Sequence, residues 1–184
     1  MKSVDEIIAL YERHGSDFYS EDISQVDHAV QAANLATVSG ASSNLVLAAL
    51  LHDIGHLMHL DALGADDSHF TQDLRHEKVG ADELAQQFPD SVIEPIRWHV
   101  AAKRWLCARD PEYAAALSEA SKQSLHFQGG PMSATECADF ESHKWFKEAV
   151  QLRRWDDEAK VVGLDSDPLS TFCEVLWVTA KNIS

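Results

Sequence analysis

The dipeptide His52-Asp53 is the feature of this 184-residue chain most suited to chemistry. It follows an apolar run, Leu45 to Leu51, which is typical of a buried helix. Burying an imidazole beside a carboxylate is unfavourable unless both groups are bonded or neutralised. A metal cation does both, so the pair predicts a metal site within a helical core. The alternative is a polar pair at the end of a helix.

Further potential ligands recur on other helix-like segments. His28 lies 24 residues before His52, and His76 lies 23 residues after Asp53. His99 follows another 23 residues later, and Asp156 lies far downstream. Histidine with carboxylate suits iron, manganese or zinc better than magnesium, and helical bundles build dimetal sites from facing helices. With Asp53 as a bridge, we expect two ligand sets: His28, His52 and Asp156 for the first metal, and His76 and His99 for the second.

Composition narrows the possible partners. The formal net charge of -15 argues against nucleic acid or an anionic membrane, because both are bound through excess Lys and Arg. Cys107, Cys137 and Cys173 are widely spaced, which indicates neither a disulfide framework nor a zinc ribbon. The first ten residues do not resemble a signal peptide, and we expect no apolar run near the roughly 18 residues that span a bilayer. A cytoplasmic protein is predicted.

The hydrophobic spacing predicts a chain that is almost entirely helical. Turn residues and caps separate the segments, and we expect loops at 16–24 and 61–73. The length suits one domain, so residues 1–184 are expected to form a single all-α unit. The predicted helices are 4–15, 25–38, 43–58, 76–89, 91–107, 113–123, 135–156 and a short one near 172–178.

The ligand pattern resembles the HD-domain superfamily in its dimetal form, over about residues 19–160. Local sequences narrow the resemblance to di-iron oxygenases that cleave the carbon–phosphorus bond of 1-hydroxyethylphosphonates. The resemblance implies a single HD-domain helical bundle. The sequences that carry it are LLHDIGH (50–56), HEKVGAD (76–82), HVAAKRWL (99–106), FQGGPM (127–132) and RRWDDEAK (153–160).

This resemblance also implies the cofactors. Two iron ions in a mixed-valent Fe(II)/Fe(III) state would activate O2, and no protein side chain would act as a nucleophile. The phosphonate would be oxidised to a carboxylic acid and phosphate. Because the substrate supplies all the electrons, no nicotinamide, flavin or 2-oxoglutarate is expected. The expected partner is a small phosphonate, and the chain would be a monomer or a homodimer.

Two cationic side chains are candidates for binding the phosphonate. Lys103 lies one helical turn after His99, and Arg153 lies three residues before Asp156, so both direct charge toward the metals. An ion pair with Asp157 would equally explain Arg153. The resemblance adds four further contacts, although a polar surface helix would explain the serines and the glutamine as well: His56, Ser121, Ser124 and Gln128.

The segment before the second predicted helix is expected to select the far end of the substrate. In the related enzymes, a tyrosine covers one iron and a glutamate three residues later holds an ammonium group. Here Tyr19 pairs with Asp22, or Phe18 with Glu21, depending on the alignment, and we prefer the first because a phenol can cover iron. The shorter Asp22 leaves room for a trimethylammonium group, which an aromatic face from Tyr19, Phe18 or Trp105 would help to bind.

We therefore expect O2-dependent conversion of (1-hydroxy-2-(trimethylammonio)ethyl)phosphonate to glycine betaine and phosphate. The alternative substrate is 2-amino-1-hydroxyethylphosphonate, which would give glycine. Two hypotheses from other classes remain: an HD phosphohydrolase that uses the metals as Lewis acids, and a metal-bound regulatory module. Oxygen uptake together with phosphate release distinguishes them.

Overall fold

Helices make up most of the described part of the protein in its computed structural model, which covers residues 3–19, 23–63, 75–165 and 167–180. The predicted all-α class is confirmed. The helices are α1 (Val4–His14), α2 (Gln25–Val38), α3 (Ser43–Leu51), α4 (Ile54–Leu63), α5 (His76–Leu84), α6 (Asp90–Arg109), α7 (Pro111–Ala116), α8 (Glu119–Phe127), α9 (Ala134–Glu141), α10 (Phe146–Glu158) and α11 (Cys173–Thr179), the last preceded by a 3₁₀ helix, Leu169–Phe172.

Helix α3 lies at the centre of the bundle. It packs against α2, α6, α10 and α11, and α6 in turn contacts α5 and α10. Leu47, Leu50 and Leu51 are fully buried, as expected for a helix that is apolar on every face. Because α3 ends at the His52-Asp53 dipeptide, its central position carries that dipeptide into the interior.

A second, smaller apolar cluster lies between α6, α9 and α10. Phe140 is buried there with two alanines, and Trp98, Trp105 and Phe146 pack against it. This cluster covers the side of α6 that faces away from the main core. One side of α6 therefore packs on this smaller cluster, and the opposite side packs against α3 and α5.

The helix predicted over 43–58 is interrupted at its functional residues. His52 and Asp53 form a turn between α3 and α4, and the His56 amide bonds to the Asp53 carbonyl at 2.8 Å. His52 itself keeps α-helical backbone angles, with φ -59° and ψ -36°, so the interruption is local. The prediction of a continuous helix was wrong, and so was the loop boundary at 61, because α4 continues to Leu63.

Two other predicted helices are also divided. The segment 113–123 is split between α7 and α8, where the Ser118 hydroxyl caps α8 by accepting the Ser121 amide. The segment 135–156 is split between α9 and α10, with Ser142 at the end of α9. In the loop predicted over 16–24, Phe18–Tyr19 pairs antiparallel with Ile23–Ser24. Apolar spacing detects none of these local interruptions.

The stretch Ser43–Ala62 is long and apolar enough to cross a membrane by length and composition. About two thirds of it is buried inside the protein (67%), as expected for a core segment, and the turn at His52-Asp53 interrupts it. The expectation that the chain has no apolar run of this length was therefore wrong. The burial of this stretch is that of a helical segment in the protein core.

Helices α4 and α5 approach each other closely at two glycines. A Cβ on Gly55 would lie 2.1 Å from the His76 carbonyl oxygen, and one on Gly80 would lie 3.2 Å from the Ile54 side chain. A side chain at Gly55 would collide with the backbone. The absence of one lets the start of α5 lie directly against the turn that carries Asp53.

Candidate metal centre

The six predicted ligand residues converge at one place in the bundle interior. They come from α2, the α3–α4 turn, α5, α6 and α10. All six are buried, and the most exposed of them retains 8% of its surface. They are His28, His52, Asp53, His76, His99 and Asp156.

The first ligand set surrounds one carboxylate oxygen of Asp53. The Nε2 atoms of His28 and His52 lie 3.2 Å apart. Asp53 Oδ2 is 3.6 Å from the first nitrogen and 3.5 Å from the second. Asp156 Oδ1 approaches the same two nitrogens at 3.5 and 3.8 Å. Four potential donor atoms therefore face a single point.

The second set surrounds the other oxygen of Asp53. His76 Nε2 and His99 Nε2 are 3.2 Å apart, and Asp53 Oδ1 lies 3.2 Å from the first and 3.7 Å from the second. Each carboxylate oxygen thus faces its own pair of imidazoles. This is the arrangement expected of a carboxylate that bridges two cations.

Main-chain carbonyl groups orient three of the four imidazoles. In each case Nδ1–H donates to a carbonyl oxygen at 2.7 or 2.8 Å, which leaves the Nε2 lone pair directed inward. Such outer hydrogen bonds fix the tautomer that binds metal. The pairs are His28 with Ala159, His52 with Ala49, and His99 with Ile96.

The electrostatics of the cluster favour a cation. Both carboxylate oxygens of Asp53 and Oδ1 of Asp156 are buried with no hydrogen-bond partner among the described atoms. Burial alone raises the pKa of Asp53, yet the neighbouring histidines hold it well below its usual range. Burial lowers the pKa of His28, but the two aspartates raise it to about 9. Buried carboxylates that need positive charge and inward-facing imidazole nitrogens fit a pair of bound metal ions.

A buried ion-pair network holds the outer oxygen of Asp156. Arg153 Nη1 lies 2.7 Å from Asp156 Oδ2, and the same guanidinium bonds to Asp157. Arg153 Nε also donates to the Tyr113 hydroxyl at 3.1 Å, and Tyr113 donates to Asp157 at 2.5 Å. The ion pair with Asp157, weighed as the alternative for Arg153, is present. The spacing of Arg153 and Asp157 was readable from the sequence, whereas Tyr113 was not identified.

Lys103 is buried on the same face of α6 as His99. Its Nζ donates to Ser124 Oγ at 2.8 Å, and Ser124 in turn donates to the Ser121 carbonyl. Burial and the nearby charge of Arg153 lower the pKa of Lys103 to about 7. The Ser121 hydroxyl accepts from Lys160 at 3.4 Å. A buried ammonium with a weakened hold on its proton is suited to bind an anion.

His56 and Gln128 occupy different surroundings. The His56 ring stacks on that of His76, with centroids 4.0 Å apart. Burial, and to a lesser extent the charge of His76, lower the pKa of His56 to about 3. It is therefore a neutral imidazole near the second ligand set. Gln128 ends α8 and lines a pocket between α5, α6 and α9, where its Oε1 is buried.

The proposed substrate-selecting residues lie mostly outside the described part of the chain. The backbone of Tyr19 is in the short strand with Phe18, but Glu21 and Asp22 fall in the segment 20–22, beyond the described residues. Trp105 does not face the ligand sets. Its indole N–H donates to Glu141 at 2.8 Å, and its ring packs on Phe146 in the second apolar cluster.

Comparison with known proteins identifies the family. The HD domain model matches residues 26–124. A hydroxymethylphosphonate dioxygenase of Gimesia maris is 44% identical over 92% of this chain and 84% of its own length. A [1-hydroxy-2-(trimethylamino)ethyl]phosphonate dioxygenase (glycine-betaine-forming) of Leisingera caerulea is 39% identical over 89% and 83%. An uncharacterised mimivirus protein, L432, is 36% identical over 94% and 79%.

These relatives confirm the resemblance drawn from the local sequences, and with it an oxygen-incorporating enzyme that cleaves carbon–phosphorus bonds. The histidine and aspartate clusters are compatible with a metal site in such an enzyme. The chain belongs to the HD-domain family, among its phosphonate dioxygenases.

Proposed function

We propose that the two ligand sets hold a mixed-valent pair of iron ions and that the protein uses O2 to cleave the carbon–phosphorus bond of a 1-hydroxyphosphonate. The observation that carries this proposal is the position of Asp53, whose two carboxylate oxygens each face a separate pair of imidazoles. Histidine-rich sets with bridging carboxylate are typical of iron. When bound, the irons would acidify the substrate hydroxyl and reduce O2.

The substrate is expected to approach the second ligand set. That set offers three donor atoms, from His76, His99 and Asp53, whereas the first also includes Asp156. Fewer protein ligands leave more open positions for a substrate. Lys103 lies on the His99 face of α6, and its charge is close enough to influence the pKa of His76. We place the phosphonate between Lys103 and the second set.

The remaining polar residues have proposed roles around that position. Ser124 orients the Lys103 ammonium, and the neutral His56 supplies one further N–H. Arg153 acts mainly by fixing Asp156, since its donors are committed to two aspartates and a tyrosine. Ser121 and Gln128 are proposed as outer contacts of the phosphonate.

The overall reaction balances without another cofactor. Converting the C1 alcohol of a phosphonate to a carboxylic acid and free phosphate removes four electrons, which equals the four needed to reduce one O2. The buried Lys103, with a pKa of about 7, can neutralise charge on the phosphate as the bond breaks. Lys103 therefore binds the phosphonate of the substrate and also stabilises the phosphate that leaves.

Three candidate substrates differ in the group on C1. The trimethylammonio substrate depends on Tyr19, Asp22 and an aromatic face, but Trp105 is turned into the second apolar cluster. The 44% identity to a hydroxymethylphosphonate dioxygenase supports hydroxymethylphosphonate as the first candidate, and its products would be formate and phosphate. (1-Hydroxy-2-(trimethylammonio)ethyl)phosphonate, giving glycine betaine, is our second candidate, and the primary amine is the third.

Parallel measurements of O2 consumption and phosphate release test these assignments. The iron-loaded protein should consume one O2 for each phosphate released, with the highest kcat/KM for hydroxymethylphosphonate, and Asp53→Asn should abolish both signals. Phosphate release from a phosphate ester without O2 would instead identify a phosphohydrolase. Asp22→Ala should reduce turnover of the trimethylammonio substrate alone, and an equal loss with both substrates would remove Asp22 from cation recognition.

We also propose a cytoplasmic location for a single-domain monomer or homodimer. All three cysteines are free thiols, and Cys107 and Cys173 are only partly buried. Unpaired, partly accessible thiols persist in a reducing compartment. Fractionation of the native host together with sedimentation analysis tests both statements.

A further inference from the structure

The carbonyl group that orients His28 differs from the two that orient His52 and His99. Those two belong to residues three positions earlier in the chain, within α3 and α6, so the helices themselves hold them in place. The acceptor for His28 Nδ1–H is the carbonyl of Ala159, 131 residues away in the chain. Ala159 ends α10 with backbone angles of φ -81° and ψ 44°, so the direction of its carbonyl is not set by helical geometry. Another contact must set it.

The main chain just after Ala159 is held by the side chain of Gln31. Gln31 lies one turn after His28 on α2 and is buried, with 4% of its surface exposed. Its Nε2 donates to the Val161 carbonyl at 2.9 Å, and its Oε1 accepts from the Val161 amide at 3.1 Å. Both halves of the carboxamide are therefore used on one residue, which requires a side chain that has a donor and an acceptor.

These two bonds restrict the rotation that would move the Ala159 carbonyl. That carbonyl lies in the planar peptide unit that joins Ala159 to Lys160, so its direction changes only when the plane turns. On one side of the plane, the Ala159 amide donates to the Trp155 carbonyl at 2.8 Å. On the other side, Gln31 holds Val161, whose own side chain is 50% exposed and contributes little packing. The plane is thus fixed between two anchors, and Gln31 is one of them.

From these contacts, we propose that Gln31 is a positioning residue for the first ligand set. It holds the Ala159 carbonyl against His28 Nδ1–H and so keeps the His28 Nε2 lone pair available to a metal ion. A displaced carbonyl would let the imidazole rotate or carry its proton on Nε2, and a protonated nitrogen cannot bind metal. The second ligand set does not contain His28, so the effect is confined to one metal. This role depends on the proposed function only because that function places two metal ions in the ligand sets.

Histidine-selective ¹⁵N NMR of the zinc-loaded protein tests this role directly, because zinc binds the same types of donor and has no redox chemistry. Gln31→Met removes both bonds to Val161 with a side chain of similar length. The half-exposed Val161 can then bond to water, so the variant should fold. His28 Nδ1–H should exchange with solvent at least about fivefold faster, as expected when one hydrogen bond is no longer held, while exchange at His52 and His99 should be unchanged. Unchanged exchange at His28, or equal acceleration at all three rings, would overturn the assignment.

Zinc affinity gives a second readout. Competition with a chelator should show that Gln31→Met holds one zinc ion as tightly as the wild type and the other about tenfold more weakly, as is typical when an outer partner of a metal ligand is removed. Ser39→Ala is the matched control, because it removes another hydrogen bond between α2 and α10, from Trp155 Nε1 at 3.3 Å, away from Ala159. Its zinc affinities should equal those of the wild type. Wild-type affinity at both sites in Gln31→Met, or a matching loss in Ser39→Ala, would refute the role of Gln31.

The wild-type protein supplies a test that needs no variant. Because its amide donates to Gln31, Val161 should be protected from hydrogen exchange, and an unprotected Val161 amide would contradict the positioning role. None of these measurements requires turnover. They can therefore contradict the role of Gln31 in a protein that oxidises a hydroxyphosphonate, and support it in one that does not, which separates its failure from that of the proposed function.

Discussion

Replacing Lys103 with methionine should stabilise the protein at neutral and acidic pH while it impairs phosphonate turnover. Lys103 is 2% exposed, and burial followed by repulsion from Arg153 lowers its pKa from 10.5 to about 7. The folded state thus holds this proton less tightly than the unfolded chain does. Unfolding takes up a proton between pH 7 and 10.5, so stability rises with pH through this window.

The size of the effect follows from the same shift. The penalty is fully present below pH 7, where it amounts to about 5 kcal/mol, and falls to about 2 kcal/mol at pH 9. Methionine carries no charge and has a similar shape, so the variant escapes the penalty but loses the hydrogen bond to Ser124. We therefore expect the stabilisation by Lys103→Met to be about 2 to 3 kcal/mol larger at pH 6 than at pH 9.

Urea denaturation at pH 6, 7.5 and 9, with equal metal loading, measures this difference. The ligand residues titrate in both proteins. Their contribution to the free energy of unfolding therefore cancels when the variant is compared with the wild type at each pH. Lys122→Met is the matched control, because Lys122 is exposed and, among the described residues, pairs only with Glu119, so its effect should not change with pH. A stability gain of Lys103→Met over the wild type that is no larger at pH 6 than at pH 9 would falsify the burial of a charged Lys103.

Three further outcomes are expected. Removing the metals with a chelator should lower Tm by about 6 to 12 °C, because a ligand at 100 times its Kd contributes about 3 kcal/mol and each kcal/mol shifts Tm by about 2 to 4 °C at this size; an unchanged Tm in calorimetry would contradict metal binding to the folded protein. Tyr113→Phe should cost about 1 kcal/mol by breaking the bonds to Asp157 and Arg153, and urea denaturation at wild-type stability would show that the network is dispensable. Gly55→Ala should destabilise the protein by about 3 kcal/mol and deplete the second metal, since the new Cβ meets the His76 carbonyl; metal analysis that finds two ions per chain would argue against this contact.

Much of the fold and the convergence of the six candidate ligands could be predicted from the sequence. Helical periodicity identified the segments that carry His28, His76 and His99, and the dipeptide His52-Asp53 marked a polar site in an apolar run. Spacing alone could not give the network behind Asp156. Tyr113 reaches α10 from α7, which packs on α6, and its bonds to Arg153 and Asp157 join positions about 40 residues apart in the chain.

The missed helix ends have a local cause. Apolar spacing continues across residues 116–118 and 142–145, so a pattern with a 3.6-residue period predicts continuous helix at both places. Ser118 and Ser142 compete with that pattern, since a serine hydroxyl can bond to a nearby main-chain group. At His52-Asp53 the apolar run likewise gave no sign of the turn.

The position of Trp105 was within reach of the sequence. Lys103 and Trp105 are two residues apart on α6, and side chains with this spacing point about 200° apart around a helix. Assigning Lys103 to the site therefore places Trp105 on the opposite face, where it packs on Phe146. A cation on the substrate must then be recognised from outside this part of α6, and Tyr19 and Asp22 are the residues proposed to do so. A phosphonate with no cationic group needs no such contact, so the position of Trp105 places no constraint on hydroxymethylphosphonate.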